Sequence, residues 1–351
     1  MLLYIHIPYC DSKCHYCSFN SYVDKFDTRK SYMFALEKQL RYELELFQVT
    51  KQSIETVFIG GGTPSTITPS LYKPIFDLLQ PLLKKDAEIT TEANPNSATK
   101  KWLQGMFNLG INRVSFGVQS FNRTKLKELN RVHSPQNAIQ AINDAKEVGF
   151  KNLSLDLIYN YQGDTKELLK SDIDQAFKLP INHISAYELT IEGGTKFAQT
   201  PTVRQEDDEL AFFVADEITK QGFSHYEISN FGTYQSRHNK GYWELKEYMG
   251  VGAGAVGFRK NIRYYPTTDI DIYIKEPLNI HEEHLTEEEL LTEKLFLGLR
   301  STIGIKEDIL DELMKQRADF LVEKEKLTKD KNIYKNKNYF ISDELVLYIL
   351  G

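Results

Sequence analysis

Short apolar stretches alternate with longer amphipathic stretches along much of the chain. The short stretches predict β-strands at residues 2–8, 56–59, 88–93, 113–118, 152–159 and 183–189. Apolar residues spaced three and four positions apart predict helices at 29–47, 70–85, 99–109, 134–148, 165–178 and 206–221. Near-continuously apolar strands that alternate with helices indicate a parallel sheet covered on both faces.

Six such strand–helix units predict an α/β fold, namely an open (β/α)6 partial TIM barrel. A doubly wound sheet is the alternative. Near the C-terminus, Thr286 and the glutamates after it form a capping box that begins a helical region. Residues 332–340 and 342–350 predict a closing hairpin. The sequence therefore predicts a barrel at 1–230, a connecting region at 231–280 and a small helical, winged-helix-like C-terminal domain with that hairpin at 281–351.

Composition and charge exclude several classes of function. The 351 residues are 41% hydrophobic and 26% charged, which is typical of a globular protein. A net charge of −6 argues against a nucleic-acid partner, and the lysine-rich segment 324–337 is interpreted as a solvated wing. The chain has neither a basic leader nor a long apolar run, so a cytoplasmic protein is expected, with peripheral membrane association left open.

All three cysteines of the chain lie in one short segment, at Cys10, Cys14 and Cys17. An odd number of cysteines argues against a disulfide framework, and thiolates on a short loop favour zinc or an iron–sulfur cluster. A 4Fe–4S cluster normally takes four cysteines, so three would leave one iron free for a small ligand. Zinc completed by His6 or His15 is the competing interpretation.

Polar residues or glycines lie near the carboxyl ends of several predicted strands. They include the run Gly60–Gly61–Gly62–Thr63, then Glu92, Gln119 and Asp156. Because the active sites of α/β barrels lie at the carboxyl ends of the strands, these residues and the cysteines should meet at one mouth. The glycine run matches neither a dinucleotide-binding nor a phosphate-binding loop, and it would expose backbone groups to a ligand such as an amino-acid moiety.

The cysteine spacing, with aromatic Tyr16 before the third thiol and Gly-Gly-Gly-Thr-Pro at 60–64, resembles the signature of radical S-adenosylmethionine (SAM) enzymes. Segments 4–10, 92–95, 117–121 and 156–159 resemble the group that contains oxygen-independent coproporphyrinogen III oxidase and the HemW haem chaperones. The resemblance implies a 4Fe–4S cluster on Cys10, Cys14 and Cys17, with SAM on its unique iron. It also implies SAM contacts from Tyr4, Tyr16, Gly61, Gly62, Thr63, Glu92, Gln119, Arg131 and Asp156.

Three features resemble the chaperone branch of this group. Phe19 stands where the oxidase has a fourth cysteine, and only nine residues precede Cys10. The segment 238–243 matches the H-N-x-x-Y-W motif that is associated with haem binding in the chaperones. The resemblance implies haem contacts from His238, Asn239, Tyr242 and Trp243, with His238 as the axial ligand. On the residues alone, such a motif also fits aromatic packing beneath a barrel.

The resemblance therefore implies a haem chaperone that binds haem and delivers it to acceptor proteins, such as respiratory proteins at a membrane. It also suggests a homodimer. The alternative is the oxidase itself, a radical SAM enzyme of porphyrin biosynthesis that decarboxylates coproporphyrinogen oxidatively. No catalytic residue is assigned for either function.

Overall fold

The computed structural model describes all 351 residues and contains one twelve-stranded sheet, in the order β12-β11-β10-β9-β1-β2-β3-β4-β5-β6-β8-β7. In chain order its strands are β1 (Leu2–Ile7), β2 (Ile54–Gly61), β3 (Leu83–Ala93), β4 (Arg113–Gln119), β5 (Asn152–Tyr159), β6 (His183–Glu188), β7 (Ser224–Glu227), β8 (Asn230–Gly232), β9 (Tyr248–Val251), β10 (Gly257–Arg259), β11 (Ile262–Pro266) and β12 (Ile280–His284). Strands β1 to β6 pair in parallel, and β9 adds in parallel beside β1.

Helices connect the strands of the sheet. They are α1 (Arg29–Leu46), α2 (Pro69–Leu79), α3 (Lys100–Asn108), α4 (Arg123–Glu128), α5 (Pro135–Val148), α6 (Lys166–Ala176), α7 (Asp208–Lys220), α8 (Arg237–Trp243) and α9 (Ile270–Lys275). The open α/β sheet of six strand–helix units is confirmed, although α2 ends at Leu79 and β3 already begins at Leu83, within the helix predicted to reach residue 85. No helix is long and apolar enough to span a bilayer.

The prediction of near-continuously apolar strands is wrong for the middle of the sheet. In β4, Val114, Phe116 and Val118 are buried in the main apolar core. The residues between them are polar or glycine and face a cavity instead, because successive side chains of a strand point to opposite faces. The inner face of the barrel is therefore polar, and the outer face packs against the helices.

The predicted connecting region, 231–280, contributes to the sheet itself. It contains most of the strands added at one edge of the sheet, β9 to β11, together with α8 and α9. The division of the chain at residues 230 and 280 stays a prediction, since strand pairing continues through this region up to β12.

The C-terminal unit has its own apolar core and a three-stranded sheet. Its elements are α10 (Glu287–Leu299), β13 (Ile305–Lys306), α11 (Glu312–Glu323), β14 (Leu327–Asp330), β15 (Ile333–Asn336) and α12 (Ser342–Leu350). The hairpin consists of β14 and β15, so the prediction that 342–350 forms a strand is wrong. Leu345, Val346 and Ile349 are buried on one face of α12, because their spacing follows the helical period.

Candidate functional site

A cavity of about 530 Å³ lies at the carboxyl ends of the parallel strands. The cysteine loop, residues 10–17, forms one side of it, and inward-facing residues of β2 to β6 form most of the rest. Its walls include most of the predicted site residues, namely Cys10, Cys14, Tyr16, Cys17, Gly61, Gly62, Thr63, Glu92, Gln119, Arg131 and Asp156. The predicted convergence of the cysteines with the polar strand ends is therefore present in the structure.

The three thiols are free, partly exposed and turned toward this cavity. The Arg131 guanidinium donates to Cys14 Sγ over 3.2 Å, and the Thr63 hydroxyl donates to Cys10 Sγ over 3.5 Å. Burial raises the pKa of the Cys10 and Cys17 thiols. A bound cation would oppose that shift, because it stabilises the thiolate form.

The glycine run allows β2 to approach the cysteine loop closely. Gly61 has a φ of +108°, and a Cβ there would lie 2.5 Å from the His6 ring. A Cβ on Gly62 would lie 2.8 Å from the Tyr9 carbonyl oxygen and 3.0 Å from Cys10 Sγ. A larger residue at Gly61 would push the end of β2 away from β1, and one at Gly62 would push it away from the start of the cysteine loop.

Two half-buried carboxyl groups, those of Glu92 and Asp156, also line the cavity. Burial and the nearby charge of Asp156 raise the pKa of Glu92 to about 8, and Glu92 Oε2 accepts the Gly61 N–H over 3.2 Å. Burial raises the pKa of Asp156 to about 6, partly offset by hydrogen bonds such as that from the Ser115 hydroxyl, over 3.2 Å. These groups form a polar wall that can accept hydrogen bonds from the hydroxyl or amino groups of a ligand.

Helix α8 closes the opposite end of the barrel and carries the motif 238–243. The Glu88 carboxylate accepts the backbone N–H groups of Arg237 and His238, at 2.9 and 3.0 Å, and the Tyr234 hydroxyl at 2.6 Å. A Cβ on Gly241 would lie 2.4 Å from the Leu2 side chain. The helix therefore packs tightly against the amino ends of the strands and forms a floor beneath the cavity.

His238 is buried within this floor, at 1% exposure. Its Nδ1 is bonded to the Thr56 hydroxyl at 2.7 Å, and its Nε2 to the Tyr242 hydroxyl at 2.9 Å. Its ring stacks on Phe58 with 5.2 Å between centroids, and burial lowers its pKa to about 3, so the imidazole is neutral at pH 7. Both ring nitrogens thus have protein partners.

Comparisons with known proteins agree with the geometry of the mouth. Residues 4–176 match the model of the radical SAM superfamily. The heme chaperone HemW of Lactococcus lactis is 33% identical over 86% of this chain and 82% of that protein, and HemW of Bacillus subtilis is 34% identical over 86% and 84%. The chain belongs to the HemW family of radical SAM proteins.

A solved structure shows the same fold as this HemW family member. Coproporphyrinogen III oxidase (HemN) from Escherichia coli, described as a radical SAM enzyme, superimposes with a TM-score of 0.81 at 18% identity. The match covers 99% of this chain and 89% of that one. At this identity the likeness describes the architecture, including the C-terminal unit, and not the activity.

The donor set at the mouth fits an iron–sulfur cluster better than zinc. His6 is bonded through Nδ1 to the Tyr4 hydroxyl and through Nε2 to the Asn20 carbonyl oxygen, at 3.0 and 2.9 Å. His15 Nδ1 is bonded to the Glu128 carbonyl oxygen at 2.9 Å. No three Cys, His, Asp or Glu side chains are arranged to hold a single metal ion. The three open thiols nevertheless share one cavity, which suits the larger cluster.

Tyr4 and most of the residues predicted to contact haem lie outside the cavity wall. Tyr4 stacks behind Phe58, at 6.3 Å between ring centroids, and is not part of the wall. Of the four residues predicted to contact haem, only Asn239 lines the cavity, while Tyr242 packs against Tyr248. His238 as an axial haem ligand stays a prediction, and it requires a different arrangement of α8.

Sequence reasoning missed several residues of the wall. They are the inward-facing residues of β4 and β6, Arg113, Ser115, Ser185 and Tyr187. The Arg113 residue is 2% exposed, and its Nε has no hydrogen-bond partner. The signal is present in the sequence, since polar residues or glycine occupy every second position of these strands.

Proposed function

We propose that the chain is a haem chaperone that holds a 4Fe–4S cluster and SAM in the cavity at the mouth and passes haem to acceptor proteins. One observation carries the proposal: three free thiols open into a cavity that is also lined by the glycine run and by two half-buried carboxyl groups. The HemW relatives, at 33% and 34% identity over most of the chain, supply the haem-carrying role.

Each group at the mouth has a role in this proposal. Cys10, Cys14 and Cys17 would hold the cluster, and Arg131 would offset the negative charge of the thiolates, since it already lies against Cys14. The backbone at Gly61 and Gly62, with Thr63, would hold the methionine end of SAM, and Tyr16, Glu92, Gln119 and Asp156 would contact the rest. Bound together, a cluster and SAM supply electron transfer and radical chemistry.

The haem site belongs to the motif of α8 in this proposal. Because both His238 nitrogens have partners, haem ligation there requires the floor to open first. Assembly into a homodimer, a cytoplasmic location with peripheral membrane contact, and acceptors of the respiratory type are further parts of the proposal. The oxidase alternative gains no support from Phe19, which is 65% exposed at the cavity rim where the oxidase places a cysteine.

Haem transfer from the anaerobically reconstituted protein tests the proposal. We expect iron and sulfide near four per chain, a Soret shift with haemin, and transfer of the bound haem to apomyoglobin, used as a generic acceptor. A protein that takes up neither cluster nor haemin would contradict the proposal. Conversion of coproporphyrinogen to a vinyl product, with SAM and a reductant, would replace it with the oxidase function.

A further inference from the structure

The middle of the cysteine loop is held by residues 128–131, which are called the bracing segment here. They are the last residue of α4 and the three residues that follow it. This segment accepts hydrogen bonds from the loop and donates others to it. The bonds are His15 N–H to Leu129 O at 3.3 Å, His15 Nδ1 to Glu128 O at 2.9 Å, Asn130 Nδ2 to Lys13 O at 2.8 Å and Arg131 Nη1 to Cys14 Sγ at 3.2 Å. The position of the bracing segment therefore helps to set the position of Cys14.

The bracing segment is poorly anchored in apolar packing. Its buried apolar residue, Leu129, belongs to a cluster of only four buried residues, separate from the main core of 58. Helix α4 before it has six residues, too few for a helix to hold its own orientation. Polar contacts therefore do much of the anchoring. Arg131 Nη2 donates to the Gly117 carbonyl oxygen of β4 over 2.6 Å, and a second interaction holds α4 itself.

A buried ion pair provides that interaction. The Lys125 ammonium, 1% exposed, donates to both carboxylate oxygens of Asp164 at 2.7 and 2.8 Å and to the Ile158 carbonyl oxygen at 2.5 Å. Asp164 has no exposed side-chain surface, and it also accepts the Tyr161 N–H over 3.0 Å. The pair joins α4 to the end of β5 and to the loop that follows it.

We propose that the Lys125–Asp164 pair is a positioning device for the cluster ligands, acting through the bracing segment on Cys14. Buried ion pairs contribute little net stability compared with apolar residues of the same shape, but they are strongly directional. The inference rests on the proposed function, because it takes the three thiols to be ligands of the cluster. Its main test uses the full chain without cluster and so does not depend on that assignment.

The test is the alkylation rate of Cys14 in the cluster-free protein under native conditions, followed by peptide mapping. In Lys125→Met and Asp164→Asn we expect this rate to change roughly tenfold, equivalent to about 1.4 kcal/mol, because the thiol loses its fixed position beside the Arg131 guanidinium. The matched control is Leu103→Ala in α3, a fully buried residue of the main core. It should lower the melting temperature and leave the Cys14 rate unchanged.

Equal Cys14 rates in the pair variants and in Leu103→Ala would overturn the proposal and leave the pair a purely structural element. Should Lys125→Met not fold, Asp164→Asn keeps the test open, because the amide can still accept the Tyr161 N–H. After reconstitution, the pair variants should also lose iron to a chelator faster than the wild type. If the wild type takes up no cluster while the alkylation result holds, the proposed function fails and the positioning role stands.

Discussion

The two ends of the barrel differ in how far their polar groups are satisfied. At the mouth, three thiols are free and two carboxyls have raised pKa values. At the floor, the Glu88 carboxylate accepts three hydrogen bonds, and both His238 nitrogens have partners. Native proteins seldom leave buried polar groups unpaired, so the mouth is prepared for a ligand, whereas the His238 ring and the Glu88 carboxylate of the floor are already satisfied. The exception at the floor is Trp243, whose buried Nε1 has no hydrogen-bond partner.

This difference separates two kinds of motif that look equally functional in the sequence. The thiols of the cysteine motif are free and already open into a cavity. The motif of α8 first has to lose the bonds to Thr56 and Tyr242, so the measured haem affinity would be reduced by the fraction of molecules with a closed floor.

Cys14→Ala should have the largest effect, because it removes a ligand at the open end. We expect reconstituted Cys14→Ala to retain almost no sulfide, while its melting temperature stays close to that of the wild type, since Cys14 is partly exposed. Iron and sulfide analysis measures the loss. Asp11→Asn, an exposed residue of the same loop, serves as the control and should bind a full cluster. A full cluster in Cys14→Ala would show that the mouth is not the cluster site.

Thr56→Val should have an intermediate effect, because it loosens the floor without changing its shape. The valine leaves His238 Nδ1 unpaired, which costs about 1–3 kcal/mol. If His238 binds haem, each 1.4 kcal/mol by which the floor opens more easily strengthens the apparent haem affinity about tenfold. We expect Thr56→Val to bind haemin more tightly and His238→Ala to bind it far more weakly, as measured by Soret titration.

Equal haem affinities in the wild type, Thr56→Val and His238→Ala would mean that the α8 motif is packing and that haem binds elsewhere. Melting temperatures of both variants check that they are folded. Both should melt below the wild type, since each leaves a buried polar atom without its partner.

Elements that a local sequence pattern specifies could be predicted, whereas contacts between residues far apart in the chain could not. Strand β5 was predicted with its observed bounds, because a local apolar run between two turns specifies it. Strand β9, by contrast, has four residues and pairs with β1 across most of the chain length, so no local pattern shows its partner. The same holds for His238, since nothing near it in the sequence shows that Thr56 will meet its ring.

The polar wall was predictable in part. Glu92, Gln119 and Asp156 were identified because they interrupt apolar stretches at strand ends. Arg113 and Ser115 were missed because they lie deeper in β4, where only the alternation with Val114 and Phe116 distinguishes inward from outward positions. The raised pKa values could not be predicted, since they depend on burial and on neighbours from other strands.

Glu92→Gln should have the smallest effect, a change in how stability depends on pH. The pKa of Glu92 is about 8 in the folded protein against an ordinary value of 4.5, so the unfolded chain releases this proton first as the pH rises. The ligand-free protein should therefore lose stability between about pH 5 and pH 8. Asp156, with a pKa of about 6, adds a loss of stability that is complete at a lower pH.

Glutamine at position 92 can still accept the Gly61 N–H but carries no charge, so the melting temperature of Glu92→Gln should fall less over this range. Glu128→Gln, at an exposed position, is the control and should follow the wild type. Parallel curves for all three proteins would mean that Glu92 is already ionised in the folded state, and that the mouth is better satisfied than its geometry indicates.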